Sequence, residues 1–148
     1  MSISEQEVRI RRMTEADLSG MRTIDQLIVG EGRALSWPLR AETQWAVHHP
    51  ALSFIAEAKD RMVGFLLGDI RGAEYGIDIN GWIDMIGIRE DYWHRGIGRS
   101  LVEAFQNECK RKNARMRINV RDNDKELKEF LVGLGFVKSE IATYRKSP

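Results

Sequence analysis

Gly96 and Gly98 stand two residues apart, between Arg95 and Arg99, where an apolar run gives way to helical spacing. The stretch from Ile83 to Leu101 reads as a strand, a charged turn, a glycine-rich bend and the first turn of a helix. The first N–H groups of a helix have no intrahelical acceptor, and the helix dipole adds partial positive charge beside them. Glycines at 96 and 98 would remove side chains that keep a ligand away. That combination suits a phosphate or pyrophosphate.

Two common phosphate motifs do not fit. A P-loop needs a Lys-Ser/Thr pair after its glycines, and none follows here. A dinucleotide fingerprint needs a third glycine where Leu101 stands. What remains is Arg95-Gly96-Ile97-Gly98 after a strand ending in Ile86-Gly87-Ile88. This resembles the coenzyme A site of the GNAT N-acetyltransferases, whose signature is Gln/Arg-x-x-Gly-x-Gly/Ala. Trp93 occupies the first position of that signature and departs from it. A second block, from Val120 to Phe136, also resembles the family: a strand, an Asn near a helix start, a short helix and a closing Leu-Gly-Phe. The two blocks are in the family's order and cover about residues 82–137.

The resemblance implies acetyl-CoA as co-substrate, with no metal. It assigns the cofactor to Ile86, Gly87 and Ile88, to His94, Arg95, Gly96, Ile97, Gly98, Arg99 and Ser100, and to Asn123 and Asp124. In the family the strand equivalent to Ile86–Ile88 splays from its neighbour and hydrogen-bonds the pantetheine arm. Gly87 would allow a local bulge.

Asp84 is the carboxylate that stands out. It lies mid-strand in an apolar run, where an unpaired charge is costly. Burial of such a group suits a general base. The alternative, that it pairs with an arginine or faces water at a sheet edge, weighs equally. Other family positions are altered. Leu131 stands where many members place a tyrosine that protonates the departing thiolate, and Asn119 where some place a glutamate base. Tyr144 is the remaining tyrosine that a final strand could bring back to the sheet, ahead of Tyr75 and Tyr92.

His48, His49 and His94 lack metal-ligand spacing. Cys109 reads as a buried helix residue rather than a nucleophile. Trp37 and Trp45 could line an acceptor site or simply pack.

The elements that must position these residues follow from periodicity. Val8–Arg11 reads as a strand, and Thr14 caps a helix with Leu18, Met21, Ile24, Leu27 and Ile28 on one face. Glycines 30 and 32 end it, and residues 42–48 could form a short second helix. Strands are expected at 52–58 and 62–70 around a Lys59-Asp60 turn, and at 77–88. On that last strand Trp82, Asp84, Ile86 and Ile88 would share one face. A helix at 96–112 would bury Ile97, Leu101, Ala104, Phe105 and Cys109. A strand at 116–120, a helix capped by Asn123 and Glu126, and a final strand from Gly135 through Lys146 complete the order β-α-α-β-β-β-α-β-α-β. This is an α/β fold, a mixed central sheet flanked by helices.

Length and composition fit one soluble domain: 148 residues, 43% hydrophobic and 30% charged. The net charge is +1, too weak for a nucleic-acid partner. Residues 1–74 carry nine basic and eleven acidic residues, and residues 75–148 fourteen and eleven, which suits an anionic cofactor in the second half. No run approaches the ~20 apolar residues that span a membrane. A single cysteine and no signal-peptide pattern make the cytoplasm the expected location. The reading is an N-acyltransferase that acetylates a small-molecule amine or a peptide N-terminus, with a homodimer left open. Its competitors are a non-catalytic acyl-CoA-binding or sensory module and a nucleotide-binding protein.

Overall fold

The computed structural model describes residues 7–29, 42, 52–72, 76 and 78–148, with side chains in the first helix described as far as Ile24. Five strands form one sheet in the order β1-β2-β3-β4-β5: Arg9–Arg12, Phe54–Ala58, Arg61–Arg71, Asn80–Ile88 and Arg115–Ile118. The first three pairings are antiparallel and β4–β5 is parallel. Helix α1 spans Leu18–Val29, α2 Ile97–Arg111 and α3 Lys125–Gly133.

Lys59 and Asp60 join β2 to β3 with φ of 54° and 58°. Two consecutive positive φ values match the right-handed twist of the strands they connect. Asn113, at φ 52°, ends the turn that closes α2.

Each face of the sheet has its own core. Under α2 and α3 lie Phe54, Val63, Leu66, Ile83, Ile97, Leu101, Phe105 and Cys109, with Ile86, Ile88 and Phe130 packed against them. Under α1 lie Met13, Met21, Ile24, Ile55, Phe65 and Leu67, with Met85 beside them. No helix among the described residues is long and apolar enough to cross a membrane.

The mixed sheet with flanking helices matches the sequence-based expectation. Two details differ. Residues 136–148 carry no strand, so the sixth strand expected there is absent. Strand β4 does not alternate throughout. Leu67 pairs with Met85 and Gly68 with Ile83, so Asp84 is the extra residue of a β-bulge. The bulge resets the alternation: Ile83 joins Ile86 and Ile88 in the core under α2, while Met85 turns toward α1. Asp84 therefore does not share a regular face with Ile86 and Ile88. Of the expected helix at 42–48 only Glu42 is described, in helical conformation; the rest of it, together with Trp37, Trp45, His48, His49 and Tyr75, lies outside the described residues.

Candidate active site

Strand β4 outlasts its partner. Its parallel ladder with β5 runs from Asn80 opposite Arg115 to Ile83 opposite Ile118 and ends there. Residues Asp84–Ile88 continue along β3 alone. The Arg89 N–H donates to Val63 O at 2.8 Å, on the β3 side. Antiparallel alternation then turns Gly87 toward β3 and leaves the N–H and C=O of Ile86 and Ile88 on the edge that faces away from it. The Ile88 carbonyl accepts a bond there from the Trp93 indole, Nε1 to O 2.8 Å.

The edge leads into the glycine bend. Glu90–Tyr92 form a 3₁₀ turn, His94 takes φ 61°, and Gly96 takes φ 80° as the residue before α2. A Cβ on Gly96 would meet nothing within 4 Å, so this glycine is required by its backbone conformation. Gly98 differs. It is buried, and a Cβ there would lie 2.9 Å from Phe130 Cζ and 3.1 Å from Ile88 Cδ1. Its small size lets α2 settle on α3 and the end of β4, rather than clearing room for a ligand. Ser100 N–H and Oγ both bond Gly96 O at 3.1 Å, so helical bonding begins at Ser100. The N–H groups of Ile97, Gly98 and Arg99 precede it and lack intrahelical acceptors by geometry. Arg95 and Arg99 are exposed beside them, and the Arg95 guanidinium lies 4.9 Å from the centre of the Tyr92 ring. The arrangement can hold an anion at the helix start and pair with amides along the β4 edge.

Asp84 sits where the two strands part, one residue past the last β4–β5 pair. Its side chain is 12% exposed, and its Oδ1 lies 3.7 Å from an Arg71 guanidinium nitrogen. The same nitrogen is closer to Asp69, at 3.0 Å, and the guanidinium stacks 4.8 Å over the Trp82 ring. Asp69 thus anchors Arg71, and Asp84 meets it at longer range. The pairing weighed from the sequence is present, and it comes from a residue that the sequence did not single out.

The remaining candidates sort by their surroundings. Asp124, not Asn123, caps α3: its Oδ1 accepts from Leu127 N–H at 3.1 Å. Asn123 instead accepts from Lys125 N–H through its backbone carbonyl, at 3.1 Å. Leu131 is buried and Asn119 exposed. Tyr144 is 94% exposed on the irregular C-terminal segment. The strand that was to bring it back to the sheet is not formed, which removes the reason for choosing it. Tyr92 is a core residue. Burial, with Glu108 nearby, pushes the Cys109 thiol up to about 12, which rules it out as a nucleophile near neutral pH. Among the described residues no three His, Cys, Asp or Glu side chains could together hold a metal. A cavity of about 630 Å³ lies at the far end of the sheet, lined by Asn80, Lys110, Asn113 and Arg115. It is remote from the bend and shares none of its groups.

The model of the acetyltransferase (GNAT) family matches residues 20–136. The chain belongs to the GNAT acetyltransferases. A comparison with curated protein sequences returns no match. Solved structures share the fold at low identity. An aminoglycoside N-acetyltransferase AAC(6')-Iy in complex with CoA superposes with a TM-score of 0.81, at 22% identity, over 99% of each chain. The aminoglycoside 6'-N-acetyltransferase AAC(6')-Ih from Acinetobacter baumannii gives 0.79 at 16% identity, over 96% of this chain and 99% of its own. Naa50 from Arabidopsis thaliana, bound to the bisubstrate analogue CoA-Ac-MVNAL, gives 0.71 at 17% identity, over 90% and 85%. This GNAT chain is an acetyltransferase, and acetyl-CoA is its co-substrate.

Three features of this region escaped the sequence. Nothing in the pattern marks a bulge at Asp84, because the extra residue shows only against its partner strand. Arg71 ends β3 as any strand-terminal arginine does, with no local pattern to mark it. Trp93 was visible as a departure from the motif, but its bond to Ile88 was not.

Proposed function

We propose that this acetyltransferase moves the acetyl group from acetyl-CoA to a primary amine, on a small molecule or a peptide N-terminus, by direct attack in a ternary complex. The observation that carries this reading is the parting of β4 from β5 at Ile83. Beyond that point β4 keeps an open backbone edge from Asp84 to the turn before α2, which supports the reading.

On the open edge of β4, Ile86 offers the pantetheine arm its N–H and C=O and Ile88 its N–H, while Gly87, expected to join them, turns its backbone groups to β3; the turn from His94 to Ser100 holds the pyrophosphate. Asn123 and Asp124 border the cofactor from the start of α3, Asp124 by fixing that start. The amine nitrogen attacks the thioester carbonyl carbon, and the C–S bond breaks as the tetrahedral adduct collapses. Asp84, directly or through water, takes the proton that the nitrogen loses. The CoA thiolate takes its proton from solvent. Holding both reactants in one geometry supplies most of the acceleration, and backbone N–H groups of β4 stabilise the oxyanion.

The acceptor is found with a panel: aminoglycosides and peptides with free N-termini, suggested by what the structural neighbours bind, plus polyamines and amino acids. Thiol release is followed together with mass detection of the product. The reading expects one class to give acetylated amine in step with free CoA. Thiol release without acetylated product, or silence across the panel, would count against it.

A further inference from the structure

We propose that the Trp93 indole is an end stop on the open edge of β4, fixing how far the acyl-pantetheine arm reaches toward Asp84. This rests on the acetyl-CoA reading above and assigns Trp93 as a positioning residue.

The indole nitrogen lies 2.8 Å from the carbonyl of Ile88, the last residue of β4. That carbonyl points away from β3, so its donor must lie on the open edge. The ring is held there with 39% of its surface still exposed. The turn around it is fixed from both sides. Arg89 bonds Asp91 at 3.2 Å before it, and Arg95 stacks on Tyr92 after it. Between the bulge at Asp84 and the end of the strand, the open edge offers the N–H and C=O of Ile86 and of Ile88. An extended arm carrying amides pairs with such an edge as an added strand does. It could do so in two registers, about 6.6 Å apart for a two-residue shift. The outer register needs the Ile88 carbonyl, which Trp93 already occupies, and must pass the ring. The inner register finds both groups of Ile86 available and brings the thioester up to Asp84.

Two variants separate ring from donor. Trp93→Phe keeps a ring without the N–H, and Trp93→Gln keeps a donor without the ring. The exposed position lets both fold, which melting curves check. With an acceptor from the panel, Trp93→Phe should bind acetyl-CoA within about threefold of the parent, as expected for one neutral hydrogen bond. Its kcat should fall by about tenfold or more, because a misplaced thioester loses its alignment. Trp93→Gln should keep kcat within about threefold. A second measurement needs no acceptor. The ¹⁵N–¹H resonance of the Trp93 indole, assigned by its loss in Trp93→Phe, should stay protected from solvent exchange when CoA is added. Release of that N–H to solvent on CoA binding, or unchanged kcat in Trp93→Phe, overturns the end stop. Failure of the parent protein to bind CoA overturns the acetyl-CoA reading itself, and this proposal with it.

Discussion

Gly98 lies beneath the Phe130 ring, so that a Cβ added to it would come within 2.9 Å of Phe130 Cζ. The glycine thereby ties three parts of the site together: the first turn of α2, the helix α3 and, through Ile88, the end of β4. Gly98→Ala should destabilise the protein by about 1–3 kcal/mol, as overpacking does. Denaturant midpoints measure this. Weaker CoA binding would follow from the displaced helix, not from a blocked phosphate.

Gly96 should behave differently. Its φ of 80° strains any side chain, although space is open around it. Gly96→Val should cost stability by about 1–2 kcal/mol and weaken CoA binding by more than that loss of stability accounts for. Calorimetric titration of folded protein separates the two. CoA binding equal to that of the parent would remove the bend from the cofactor site.

Asp84→Asn should lower turnover by about 10²–10⁴ if the carboxylate accepts the proton. Acetyl-CoA affinity should change little, because Asp84 stands past the end of the cofactor edge. Steady-state kinetics with a good acceptor decide it. Unchanged kcat would leave Asp84 as the partner of Arg71 and no more.

Tyr144→Phe should leave turnover unchanged, since the side chain is 94% exposed on a segment without secondary structure. A large loss of kcat with intact CoA binding would return the tyrosine to the site.

A charge cluster secures β1 at the edge of the sheet. Arg11 bonds Asp17 through two nitrogens at 2.7 Å each, and Glu57 at 2.6 and 2.8 Å. Burial pushes the Asp17 carboxyl up, but the Arg11 bonds and the Thr14 N–H outweigh it and leave it below the usual range. Arg11 and then Arg9 hold Glu57 low as well. Depressed carboxylates stabilise the fold fully above their unfolded pKa of about 4, and that contribution is lost as pH falls through the folded values. Arg11→Met should remove about 2–3 kcal/mol near neutral pH and flatten the acid side of the stability profile. Urea midpoints from pH 7 down to 3 test this.

How much of this could be read from the chain follows from what is local. Lys59-Asp60 and the stripe Ile97, Leu101, Phe105 and Cys109 are local signals and appear as read, although Ala104 of that stripe is only half-buried. Thr14 does not start an α-helix directly: a 3₁₀ turn at Glu15–Asp17 comes first. The bulge at Asp84 depends on register with β3, and register is a property of two strands. The role of Gly98 depends on Phe130, 32 residues away, which no local pattern connects to it. The missing last strand shows the same limit. Residues 136–148 have alternation enough to suggest a strand, but Arg117 holds Ser139 and Glu140 by side-chain bonds instead, at 2.7 and 3.3 Å.

Acetyl-CoA should lie along the part of β4 that outlasts β5, with its pyrophosphate at the start of α2. Residue-resolved amide exchange with and without CoA tests it most directly. Slowed exchange is expected at Ile86 and at Ile97, Gly98 and Arg99, with little change at Asn80–Ile83, where β5 already pairs. Saturating CoA that leaves those four amides unchanged while protecting another part of the chain would contradict it.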